Sequence, residues 1–137
     1  MKKTFYGFVI GSLIIISLTG CGNQFLKCNM EDGNEKSEVV VSFKNKEATK
    51  IIMKSIGEVD SEENAKQSVD IINSLSSKSE ENGIVMSAKA DGKKVSMEMT
   101  MDISKMSNND LKKQFNTENL SKENLTKLFE DKGYSCK

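Results

Sequence analysis

The stretch IVMSAKADGKKVSMEMTMDI, residues 84–103, decides how the rest of the chain is read. Asp91-Gly92 is a dipeptide favoured in two-residue β-hairpin turns, where both central residues take positive φ. Beyond it, Val95, Met97, Met99, Met101 and Ile103 alternate strictly with Ser96, Glu98, Thr100 and Asp102. A period of two describes a half-buried strand with one apolar face. Ile84–Ala90 enters the same turn as its partner strand.

Upstream of this hairpin the period changes. Asp60 or Ser61 can cap a helix, and Glu62 and Glu63 fall where carboxylates meet its positive end. Ala65, Val69, Ile72 and Leu75 recur at helical spacing as one apolar stripe. The stripe fades through Ser76-Ser77-Lys78-Ser79, and Gly83 suits a helix terminus. Before that helix, Phe25–Met30, Ser37–Lys44 and Ala48–Val59 read as three strands. Glu31-Asp32-Gly33-Asn34 and Asn45-Lys46 supply the turns. The facing of the third strand is ambiguous, because Ile51 and Met53 compete with Ile52 and Ile56.

Downstream, two short helices are expected. One starts at Asn108 or Asn109 and uses Leu111 and Phe115. The other is capped by Ser121, uses Leu125, Leu128 and Phe129, and stops at Gly133. Tyr134-Ser135-Cys136 then returns the chain to the sheet. The predicted order is β-β-β-α-β-β-α-α, an α+β domain with an antiparallel sheet of about five strands and helices on one face.

The N-terminus carries an address. Lys2 and Lys3 precede an apolar run from Phe5 to Leu18, too short for the ~20 residues of a membrane-crossing helix. Leu18-Thr19-Gly20-Cys21 resembles the bacterial lipobox at all four positions. This predicts a signal peptide over residues 1–20, cleavage before Cys21, and a diacylglycerol on the Cys21 thiol. A plain secretory signal followed by a chance cysteine is the competing reading; start, length and spacing together favour the lipobox. Residues 21–26 then form the lipidated cysteine and a tether. Gly22–Leu26 spans at most about 18 Å, and residues 27–137 form one extracytoplasmic domain. The expected location is the cell membrane, lipid-anchored on its outer side. Gly22 is not the Asp that would argue for inner-membrane retention, so an outer membrane remains open.

Of three cysteines, Cys28 and Cys136 remain after Cys21. An even pair in an oxidising compartment is most simply a disulfide, here tying both ends of the domain. Reactive thiols or soft-metal ligands are the alternative, without Cys-x-x-Cys spacing in support.

Composition narrows the function. The chain holds 20 basic residues and 20 acids; loss of Lys2 and Lys3 leaves 18 against 20, or −2. A basic surface for nucleic acid is not expected. All basic residues are Lys, and His, Pro and Trp are absent. Without His, Ser-His and Cys-His nucleophiles and imidazole zinc ligation are excluded. Neither a GxSxG elbow nor a P-loop occurs, so the domain is expected not to be an enzyme and to need no cofactor. Asp60, Glu62, Glu63, Glu80 and Glu81 are helix-end residues, and Asp32 and Asp91 belong to turns. The feature inviting another story is Met97, Met99 and Met101: thioethers on one strand face suit Cu(I). Because the stripe continues as Val95 and Ile103, a core face is the preferred reading.

SEVVVSFKNKEATK, ENGIVMSAKADGKKVSMEMTMDISKM and KLFEDKGYSCK together make the mature chain resemble the YehR-like lipoproteins. That resemblance implies a small α+β domain and carries over no catalytic or cofactor residues. The function expected is a membrane-tethered, non-enzymatic domain that binds an envelope protein or small ligand. The alternative is a carrier of an apolar ligand in a Met- and Ile-lined cavity.

Overall fold

The computed structural model describes residues 24–137. The expected signal peptide, Cys21 and the first residues of the expected tether lie outside these. Six strands and three helices follow: β1 (Gln24–Asp32), β2 (Glu35–Lys44), β3 (Glu47–Glu58), α1 (Glu62–Ser79), β4 (Ile84–Asp91), β5 (Lys94–Asp102), α2 (Asn108–Phe115), α3 (Lys122–Asp131) and β6 (Ser135–Cys136). The α+β class and the element order are as predicted, with Ser135–Cys136 forming a sixth, two-residue strand.

The sheet order is β4-β5-β3-β2-β1-β6, and every described pairing in it is antiparallel. Pairing places β5 between β3 and β4, so α1 carries the chain past one strand position before the hairpin folds back. The register also resolves β3. Ile51 and Met53 stand opposite Val41 and Val39, and Ile51 is fully buried. Ile52 and Ile56 therefore point to the opposite face, Ile52 between Val40 and Thr100 and Ile56 between Lys36 and Ser96.

One sheet face holds the core: Leu26, Cys28, Val39, Val41, Phe43, Ile51 and Met101 are all buried. Helices α2 and α3 cover it with Leu111, Phe115, Leu125 and Phe129. Local capping explains where the helices begin. Ser61, Ser107 and Ser121 each accept a bond from a backbone N–H three residues on, satisfying donors that a helix start leaves free. Ser61, not Asp60, caps α1, and Ser107 caps α2, which starts at Asn108 as expected.

Helix α1 runs along β4, the edge strand. Ser76 Oγ accepts from the Met86 N–H at 2.9 Å, and Asn73 Oδ1 from the Ala88 N–H at 3.1 Å. Two edge donors that could template another strand are thereby occupied. This contact is narrow, and Leu75, expected in the buried stripe, is 47% exposed. Just beyond the C-terminus of α1, Gly83 has φ +78, and a Cβ there would lie 2.8 Å from the Asp102 carbonyl oxygen. Only glycine fits that approach without displacement.

The domain begins earlier than its predicted boundary at residue 27. Strand structure expected from Phe25 starts one residue sooner, at Gln24, so Phe25 and Leu26, which also fall within the expected tether, are strand, and Leu26 is 1% exposed. Its side chain faces Val41 across the sheet, and burial of that leucine draws the backbone into β1.

Candidate functional site

Strand β1 carries the first of the expected site residues. Cys28 stands directly opposite Cys136 on β6, and the two form a disulfide with Cα atoms 4.0 Å apart. Neighbouring Lys27 and Lys137 exchange both backbone hydrogen bonds, at 3.1 and 2.8 Å. The cysteines therefore occupy the adjacent non-hydrogen-bonded pair, where side chains approach most closely. Cys28 is fully buried. Bonded sulfurs in this position staple the last strand to the core and are not free nucleophiles.

The same cross-strand row continues away from the disulfide. Cys28 faces Val39, Val39 faces Met53, Met53 faces Met99, and Met99 faces Met86. Met97, two residues from Met99, points from the same face in the next row, between Ser55 and Ala88. Of the three methionines singled out in the sequence, Met101 is core at 3% exposure. Met97 and Met99 are only partly buried, as are Met53 and Met86. Sequence reasoning missed these last two because their neighbours lie on other strands. The available signal was the alternation Ile84, Met86, Ala88, which matches the apolar period of β5.

A second feature lies on the opposite face. A cleft of about 330 Å³ is bordered by Lys50, Glu80, Val85, Thr100, Asp102 and Lys105, among others. Its lining is divided about evenly between polar and apolar surface; the clustered methionines are on the other side of the sheet. Asp102 is the perturbed acid here. Hydrogen bonding from the Ser104 hydroxyl, at 2.6 Å, holds its carboxyl below the usual 3.8, aided by the Ser104 N–H and by Lys105 and Lys50. Since Asp102 also caps the short turn Ile103–Lys105, its role is local structure. Folding lowers this pKa, so the stabilisation it provides is present above 3.8 and disappears as pH falls through the lower folded value. Ser104→Ala is expected to move the Asp102 midpoint up toward 3.8 in a carboxyl NMR titration; an unchanged midpoint would show that the hydroxyl is not the cause.

Glu62 and Glu63 lie in the first turn of α1, and Glu80 and Glu81 in the turn after it. Among the described residues no group of three or more His, Cys, Asp or Glu side chains could hold a metal. No described helix is long and apolar enough to cross a membrane.

This architecture was compared with known proteins. The structure of the E. coli YehR protein superimposes with a TM-score of 0.66 at 9% identity, covering 83% of this chain and 90% of that one. The chain has a YehR-like fold. A protein from Streptococcus pneumoniae TIGR4 matches with a TM-score of 0.55 at 14% identity, over 100% of this chain and 99% of the other. No protein-family model and no curated protein sequence matches the chain. At such identities the YehR-like likeness is one of backbone path, and no side-chain role transfers with it.

Proposed function

We propose that this protein is a bacterial envelope lipoprotein whose lipid-bearing Cys21 tethers a non-catalytic binding domain to the outer side of the cell membrane. The observation that supports this most is the start of β1. The sheet begins at Gln24, so only Gly22 and Asn23 separate it from the cysteine of the lipobox. Three residue steps reach at most about 11 Å. A lipid at Cys21 would hold the β1 entry, and the neighbouring β2–β3 turn at Asn45-Lys46, against the headgroups. Two acyl chains make such an anchor stable where one is marginal.

The partner in this reading is another envelope protein. Ile71 and Leu75, one turn apart on α1, are 60% and 47% exposed. Adjacent exposed aliphatic groups of this kind favour contact with a partner's apolar surface. The test is twofold. Cys21→Ala should lower the membrane-bound fraction in the native host roughly tenfold or more and abolish labelling by a fatty-acid probe. Photo-crosslinking residues at positions 71 and 75 should capture a discrete envelope protein, whereas one at exposed Lys89 should not. Retention of Cys21→Ala in the membrane would end the tethering proposal.

A further inference from the structure

We propose that Met53, Met86 and Met99, with Met97 beside them, form a binding site for a soft monovalent metal ion, copper(I). Register carries the argument. Met53, Met99 and Met86 are direct cross-strand neighbours on β3, β5 and β4, and such partners have Cβ atoms about 5 Å apart. Methionine has three rotatable side-chain bonds. The two outer thioethers can therefore swing over the central Met99, and Met97 can approach from the next row.

Met101 and Met106, at 3% and 8% exposure, belong to the core; Met53 and Met99 are packed at its margin, and Met86 and Met97 lie outside it. The latter four are only partly buried, at strand positions where β-branched and aromatic residues are the usual choice. Four methionines on one patch of three strands is a concentration of soft donors. The surroundings select further. On the same face, the adjoining sheet positions are Val39, Ile51, Ser55, Ile84, Ala88 and Met101, so none of these neighbouring strand positions carries a carboxylate for a hard cation or an ammonium that would repel a soft one. Neutral thioethers suit Cu(I) and are poor ligands for calcium, magnesium or zinc. They also carry no proton at neutral pH, so uptake should be nearly pH-independent across that range. Cys28 and Cys136 play no part, because they are bonded to each other.

The test is anaerobic competition for copper(I) between the purified full chain in detergent and a chromophoric Cu(I) chelator, with silver(I) as a redox-inert parallel probe. One equivalent per chain is expected, with sulfur-only coordination in X-ray absorption. Combined Met53→Leu, Met86→Leu and Met99→Leu keeps side-chain volume nearly constant. It should weaken binding beyond the roughly 10–100-fold that loss of an outer-shell partner costs at a metal site. Met86→Leu alone, on the edge strand, serves if the triple variant folds poorly, and Met101→Leu should leave affinity unchanged. No uptake by the parent chain, or uptake that survives loss of these thioethers in a folded variant, overturns the proposal.

Discussion

Replacing Cys136 with serine, or reducing the Cys28–Cys136 bond, is expected to destabilise the domain by about 4–5 kcal/mol in the chain-entropy account. The bonded cysteines are 108 positions apart, so the link constrains nearly the whole described chain when it unfolds. In the folded state β6 is only Ser135 and Cys136, paired with Asn29 and Cys28. Two residues of ladder cannot hold a chain end against fraying. Cys136 is the better position to change, since Cys28 is fully buried and a serine there would add the cost of an enclosed hydroxyl. Urea unfolding with and without reductant measures the effect. Coincident midpoints for the oxidised and reduced chains would show that the bond adds no stability.

Phe129→Ala is the second large effect, expected at about 3–5 kcal/mol. Phe129 is 3% exposed and sits edge-on to Tyr134, ring centroids 5.7 Å apart. Tyr134 in turn places its hydroxyl 2.9 Å from Ser37 Oγ, and its N–H donates to the Phe129 carbonyl at 3.0 Å. This aromatic pair turns the end of α3 back toward β1, where the disulfide then closes. Both changes loosen one structural unit, so Phe129→Ala combined with Cys136→Ser should cost less than the two added together. Coupling of about 0.5–3 kcal/mol is the range for connected sites. A Phe129→Ala loss below about 1 kcal/mol, or strict additivity, would show that α3 and β6 are held independently.

Several parts of the candidate sites were legible in residues alone. The pairing of Cys28 with Cys136 followed from count and compartment. The placement of Met97 and Met99 on one strand face followed from alternation. Met53 and Met86 were not legible as their neighbours, because 46 and 13 positions of chain separate them from Met99 and only strand pairing closes those gaps. Leu75 misled for a related reason: helical spacing marks an apolar stripe but not how wide a surface awaits it. Here α1 meets the edge of a strand, and Asn73 and Ser76 take part of that contact as hydrogen-bond acceptors.

By itself the sequence determined what is set within a few residues. That includes the strand and helix periods, the serine that caps α3 and the element order; the hairpin turn falls one residue beyond Asp91-Gly92, at Gly92-Lys93, because Asp91 is drawn into the ladder opposite Lys94. Tertiary structure alone decided which strands are neighbours, that Ile51 and not Ile52 points into the core, and which methionines share a patch. Local periodicity follows from backbone geometry that each segment carries with it. Strand order and facing follow from which apolar surfaces can be buried together, and that depends on segments far apart in the chain.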